Sequence, residues 1–356
     1  MAEPASLVVM LTILAAFWFG MVEKAAAQSL DPQQTLDRIA FGSCIKQEQP
    51  LPIINALVRD RPQVMLMLGD NIYADTADMA VMKAKYERLA AHSEFQKLRS
   101  TCPLLATWDD HDFGLNDGGA DFPQRAAAQE LFMDFWGDAP DAPRRHREGV
   151  YTAGIYGPPG RRVQIILLDA RYFRSPLKTG ERRVGGPYLP DDDPSKTMLG
   201  EAQWTWLEQQ LKQPAELRLI GSGIQIIASD AGQETWSNLP GEQQRLYRLI
   251  QSTKAEGVIL LSGDRHWAEL SMLTEGVPYP LYDITSSSLN QLHPRGTPTE
   301  NTHRVEIGTW HRENYGLVLI DWEQPDPTIL LDVRDLSGMS RLSKTLNLSE
   351  LAFPER

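Results

Sequence analysis

Apolar runs bounded by turn residues recur along the chain at Ile39–Phe41, Val64–Leu68, Leu104–Ala106, Ile165–Leu168, Ile224–Ala228 and Val258–Leu261. Runs with no polar alternation are what strands buried on both faces look like in layered α/β proteins. Between them, helical spacing puts Trp204, Leu207 and Leu211 on one face after Gly200, and Leu131, Phe132, Phe135 and Trp136 form a second apolar face before Gly137. Beyond Tyr315 the runs Gly316–Ile320 and Thr328–Val333 flank the turn-forming Gln324-Pro325-Asp326-Pro327, which predicts an antiparallel hairpin. Leu177–Pro194 and His293–Thr302 read as loops. With no repeat or low-complexity tract, the simplest division is one α/β domain over residues 36–345, a mixed sheet or a pair of sheets flanked by helices.

The first residues follow another pattern. Leu7–Val22 carries no charge and is followed by Ala25-Ala26-Ala27, as in a signal peptide of residues 1–27 cleaved near Ala27. The expectation is an exported chain, periplasmic or secreted. The leader begins with Glu3 and no basic residue, and an uncleaved leader would instead anchor the chain to a membrane.

Charge narrows the partners. The 356 residues carry a net charge of −12, and removing the leader with its Glu3, Glu23 and Lys24 leaves about −11. A specific nucleic-acid partner is not expected, because phosphate backbones require basic surfaces. Phosphate esters remain possible substrates where bound cations invert the local field. The two cysteines, Cys44 and Cys102, cannot form a disulfide framework, although one bridge between them is conceivable.

Chemistry concentrates just after the apolar runs. They lead into Gly42-Ser43-Cys44, Gly69-Asp70-Asn71-Ile72-Tyr73, Trp108-Asp109-Asp110-His111-Asp112, Asp169-Ala170-Arg171 and Gly263-Asp264-Arg265-His266. Carboxyl ends of strands gather at one edge of an α/β sheet, so Cys, Asp, His and Arg would share a crevice. Carboxylates crowded in this way repel one another unless cations neutralise them. Oxygen donors suit hard ions and thiolate or imidazole suits zinc or iron, so the mixture hints at two unlike metal positions. Each motif alone has a bland reading: Asp70 as a turn residue, Cys44 as a small buried residue, Arg171 as a surface ion pair, Tyr73 as core packing. Their joint order is what carries the metal-site reading.

Taken together, Phe41-Gly42-Ser43-Cys44, Gly69-Asp70-Asn71-Ile72-Tyr73, Trp108-Asp109-Asp110-His111-Asp112 and Ser262-Gly263-Asp264-Arg265-His266 resemble the PhoD-type alkaline phosphatases of the calcineurin-like metallophosphoesterase superfamily. The resemblance implies a calcineurin-like layered sandwich of two mixed sheets flanked by helices. It implies a phosphoester hydrolase that attacks phosphomonoesters with a metal-bound hydroxide. Asp70 would bridge two metals, Cys44 and His266 would complete the softer site of iron or zinc, and Asp264 with Asn116 would serve a calcium site. Asp110 and His111 would flank the phosphorus, with His111 protonating the leaving oxygen, and Arg171 would clamp the phosphate.

The chain also departs from the family pattern. No room exists between Gln28 and Phe41 for the extra β-rich domain of larger members, and Tyr86 is the tyrosine found where a ferric ligand is expected. The segment Ala228-Ser229-Asp230-Ala231-Gly232 lacks the histidine that most of the superfamily places there. Small-molecule phosphate esters and a monomer are expected. The rivals are a phosphodiesterase or phospholipase D-like activity, decided by rim loops such as Trp236–Glu242, and a non-catalytic exported metal- or phosphate-binding protein.

Overall fold

The computed structural model describes residues 29–182, 184–229, 232–293 and 299–354. The leader, and Asp230 in the segment without a histidine, lie outside the described residues. In chain order the strands are β1 (Arg38–Gly42), β2 (Val64–Leu68), β3 (Leu104–Thr107), β4 (Thr152–Tyr156), β5 (Val163–Leu167), β6 (Lys178–Thr179), β7 (Tyr188–Leu189) and β8 (Leu217–Ser222). They continue with β9 (Val258–Ser262), β10 (Ala268–Leu273), β11 (Leu281–Ser286), β12 (Arg304–Trp310), β13 (Tyr315–Asp321), β14 (Thr328–Arg334) and β15 (Ser340–Asn347).

Two mixed sheets carry the fold, one ordered β15-β14-β13-β1-β2-β3 and the other β12-β10-β11-β9-β8-β5-β4. In the first, β1, β2 and β3 run parallel while β13 pairs antiparallel to β1. In the second, β5, β8, β9 and β11 run parallel to one another, flanked by the antiparallel β4 and β10. The β2 sequence explains why no polar alternation is visible: Val64, Leu66 and Leu68 enter the core between the sheets, while Met65 and Met67 enter a second core under the helices. That second core takes Met82 and Tyr86 from the helix Met79–Ala90 and Phe132 and Trp136 from the helix Arg125–Trp136. The helices Gly200–Leu211 and Pro240–Thr253 cover the far side of the other sheet, with Trp204, Leu207, Leu211 and Leu246 buried. The result is helices, sheet, sheet, helices, which is the layered sandwich expected. Among the described residues no helix is long and apolar enough to cross a membrane.

One strand is corrected. Ile224–Ala228 is not a strand; the strand precedes it, as β8. Arg218 interrupts the β8 apolar run, bonding through its guanidinium to the backbone oxygens of Gln213, Ala215 and Glu256. The buried loop after β8 satisfies its backbone another way, with the N–H groups of Ile226 and Ile227 donating to the Asp283 carboxylate at 2.8 and 3.0 Å. The predicted hairpin forms as β13 and β14, and β15 adds a third strand to it.

Candidate metal centre

Four loops at the carboxyl ends of β1, β2, β3 and β9 build the site. Each of the first, second and fourth bends through left-handed backbone at a non-glycine residue: Cys44 (φ 67°), Asp70 (φ 50°), Asp264 (φ 69°) and His266 (φ 60°). Such conformations cost on the order of 1–3 kcal/mol each and persist where surrounding contacts impose them, characteristically at functional sites. Gly69 (φ 97°) shows why the approach is so close, because a Cβ there would lie 2.5 Å from Asp109 Cβ and 2.6 Å from its backbone nitrogen.

Asp112 ties the second loop to the third. Its carboxylate accepts the backbone N–H groups of Asp109 (2.7 Å), Asp70 (3.1 Å) and Asn71 (3.3 Å), together with the Asn71 side-chain amide (2.6 Å). Asp112 is thus an organiser, and Asp109 with Asp112 caps the short helix Asp110–Phe113.

Three sets of donor atoms converge, and Asp70 belongs to all of them: Cys44, Asp70 and His266; Asp70, Asp110 and His111; Asp70, Asp109, Asp110 and Asp264. Within each set the donor atoms lie within 4.8 Å of one another. Cys44 Sγ is 3.4 Å from Asp70 Oδ2, and the Ser287 hydroxyl stands 3.3 Å from that sulfur while accepting the His266 N–H at 2.8 Å. The Tyr73 hydroxyl donates to Asp70 Oδ2 at 3.2 Å and lies 2.7 Å from His266 Nε2.

The electrostatics describe a deficit of positive charge. Burial, then Asp70, pushes the Cys44 thiol well above its ordinary value. Burial likewise drives Asp70 well up; His111 opposes this, and Asp110 and Asp264 add to it. Asp264 rises to about 6, chiefly through burial, and burial with the neighbouring Arg265 takes His266 down to about 3. Burial also raises Asp110, but Arg171 and His111 outweigh it and hold that carboxyl low. Burial disfavours the His111 cation, yet Asp70, Asp110 and Asp75, whose carboxylate lies 2.5 Å from Nδ1, raise it to about 11. Asp70 Oδ1, Asp109 Oδ2 and Asp110 Oδ1 are buried without a hydrogen-bond partner. Orphaned carboxylate oxygens beside a buried thiol and imidazole are what a cation-binding site requires, so the residues fit metal ions.

Of the residues singled out from sequence, Cys44, Asp70, Asp110, His111, Asp264 and His266 come together. Asn116 is exposed on the loop after Phe113 and makes no hydrogen bond to the cluster among the described residues; its neighbour Asp117 donates its N–H to Asp110 at 2.8 Å. Arg171 is fully buried rather than open to a ligand, its Nε donating to Asp109 at 2.6 Å and one terminal nitrogen lying 2.7 Å from Glu234. Tyr86 stays in the helix-side core, its ring centroid 4.5 Å from that of Phe135. Both cysteines are free thiols.

Sequence reasoning left Tyr73 open between core packing and a site role, gave Asp109 no role beyond its motif, and passed over Glu234. The spacing Gly-Asp-x-x-Tyr was a usable sign for Tyr73, since three residues after Asp70 the chain returns to the same crevice. No comparable sign marked Glu234, which meets Arg171 and Arg174 only through the fold. Arg265, unlike Arg171, is partly open to solvent, its side chain 15% exposed and 2.6 Å from Asp264.

This architecture and this cluster define a calcineurin-like metallophosphoesterase fold. The chain belongs to the PhoD-like phosphatase family, whose profile matches residues 39–305. Alkaline phosphatase D of Bacillus subtilis (strain 168) is 21% identical over 67% of this chain, and the chain spans 47% of that relative's length. The solved structure of PhoD superposes with a TM-score of 0.69 at 17% identity, covering 90% of this chain and 70% of that one. An anchor protein of the inner membrane complex of Plasmodium gives 0.56 at 15% identity, covering 91% and 90%. A dimetal phosphatase from Danio rerio gives 0.50 at 14% identity, covering 90% and 100%. At these identities the structural likenesses are likenesses of fold.

Proposed function

We propose that this chain is an exported, metal-dependent phosphoester hydrolase that prefers phosphomonoesters. The observation that carries the reading is Asp70, common to all three donor sets found among the described residues: one with a thiol and an imidazole, one with Asp110 and His111, and one of carboxylates alone. Cys44, Asp70, Tyr73 and His266 would hold the softer ion, iron or zinc; thiolate and phenolate together favour a ferric ion. Asp70, Asp109, Asp110 and Asp264 would hold calcium, with Asp109 standing where Asn116 was expected. Bound ions there would supply the positive charge that activates water and stabilises the phosphoryl group.

The chain's own groups divide the remaining work. His111, held by Asp75 and partly open to solvent, gives a proton to the departing ester oxygen. Arg265 supplies the guanidinium for a phosphoryl oxygen once Asp264 is engaged elsewhere. Arg171 keeps Asp109 and Asp110 in place from beneath. Export rests on the leader, and N-terminal sequencing of secreted protein should begin at Gln28; a start at Met1 would contradict cleavage.

The deciding measurement combines elemental analysis with turnover of p-nitrophenyl phosphate and bis-p-nitrophenyl phosphate, with and without added calcium. Stoichiometric iron or zinc and faster monoester turnover are expected. Faster diester turnover would favour the phosphodiesterase reading, and a metal-free protein without hydrolysis would overturn both.

A further inference from the structure

Away from the metal cluster, the helix-side face of the first sheet holds a second concavity of about 320 Å³. Its floor is Leu317 and Leu319 of β13, and four arginines surround it: Arg38 at the start of β1, Arg59 and Arg61 at the end of the helix Ile53–Arg59, and Arg334 at the end of β14. None of these residues belongs to the metal-binding sets.

The charges do not cancel locally. Asp60 is the acid lining the cavity, and its carboxylate is engaged by Arg334 at 2.8 Å and by the Tyr315 hydroxyl at 2.6 Å. Arg334 also binds Asp332, which accepts the Ser340 hydroxyl as well, and the nearby Asp335 is taken by Arg341 and Ser337. Arg38 reaches a backbone oxygen, that of Asp60 at 3.0 Å. Arg59 reaches the Ser337 oxygen at 3.5 Å, and the Arg61 guanidinium has no hydrogen-bond or ion-pair partner among the described residues. Three guanidinium groups thus share one concavity without a carboxylate of their own, on a chain whose net charge is −12. Single arginines without an acid among the described residues occur elsewhere on the surface, as at Arg88 and Arg248, while others are paired, as Arg161 is with Glu323 and Arg245 with Glu201; here they line one cavity together.

Packing of arginine stems over leucine does not by itself account for four arginines lining one concavity, since like charges on long side chains separate where nothing holds them. Guanidinium forks match tetrahedral oxyanions through paired donors. The volume lies at the small end of ligand sites, and the leucine floor suits an apolar remainder. We propose that this arginine-lined cavity binds a phosphate group, free or carried on a small organic molecule, at a site distinct from the metal centre.

The test is calorimetric titration of the metal-loaded protein and of the double variant Arg59→Gln/Arg61→Gln with inorganic phosphate and, separately, with phenylphosphonate. The variant should bind one fewer ligand per chain, or bind it about tenfold or more weakly, with p-nitrophenyl phosphate turnover unchanged. Because the readout is the site lost on substitution, it stands whether or not the metal centre also binds phosphate. Tighter phenylphosphonate would identify an ester-borne group and equal affinity a free ion. Identical stoichiometry and affinity in both proteins would overturn the proposal.

Discussion

Tyr73 illustrates how a single side chain changes the meaning of a site. Its hydroxyl bridges Asp70 and His266, and burial followed by the fields of Cys44 and Asp70 pushes its proton affinity well up, so only a cation would draw out the phenolate. Tyr73→Phe keeps the ring, which lies 4.2 Å from His111 between centroids, and removes the oxygen. We expect a folded protein whose softer metal is lost more readily to chelator and, if that metal is ferric, whose visible absorption band disappears. Retention of both metal and band would exclude phenolate ligation. Cys44, Asp70, Asp110, His111, Asp264 and His266 were legible in the sequence because each follows an apolar run. Tyr73 was readable equally as core, and only its oxygen's neighbours decide the matter.

At the scale of elements, the loop between β8 and the short helix at Trp236 shows how an apolar sequence can be held without becoming a strand. The Asp283 carboxylate on β11 accepts Ile226 and Ile227 N–H and the Ser262 hydroxyl, substituting for a ladder partner. Asp283→Ala would leave two buried backbone donors unsatisfied, at about 1–3 kcal/mol each. Denaturant unfolding should show that loss, and activity should fall with it because Gly223 in this loop accepts the Gly263 N–H next to Asp264. A change under about 0.5 kcal/mol would mean that the loop finds other partners. Nothing in the local pattern distinguishes Ile224–Ala228 from a buried strand; the difference lies in an acid more than fifty residues away. The helix faces at Trp204 and Phe132, by contrast, were readable because their periodicity is local.

For the whole molecule, the site links folding to metal. The acids of three loops are gathered where burial raises most of their proton affinities, so the metal-free chain carries a repulsive cluster where the strands end. A cation that binds only the folded form stabilises it by mass action, about 2.7 kcal/mol at a hundredfold excess over its dissociation constant. Thermal unfolding should therefore shift downward on chelation and recover on adding back metal. In Asp70→Asn, which is expected to lose metal and hydrolysis while keeping the fold, the chelator should have little further effect. An unchanged midpoint in the parent protein would show that the acids tolerate one another without a cation.

The sequence by itself determined five of the six strands read from apolar runs, the helices with local apolar periodicity, the acidic character and the order of the metal-type motifs, because all of these reside in neighbouring residues. Which sheet each strand joins, and that Arg171 turns inward to Asp109 and Glu234, was decided by the tertiary structure. So were the place of Tyr73 beside His266 and the arginine concavity formed by β1, β13, β14 and a helix end. These rest on contacts between residues far apart in the chain, and such contacts exist only once burial has brought the segments together.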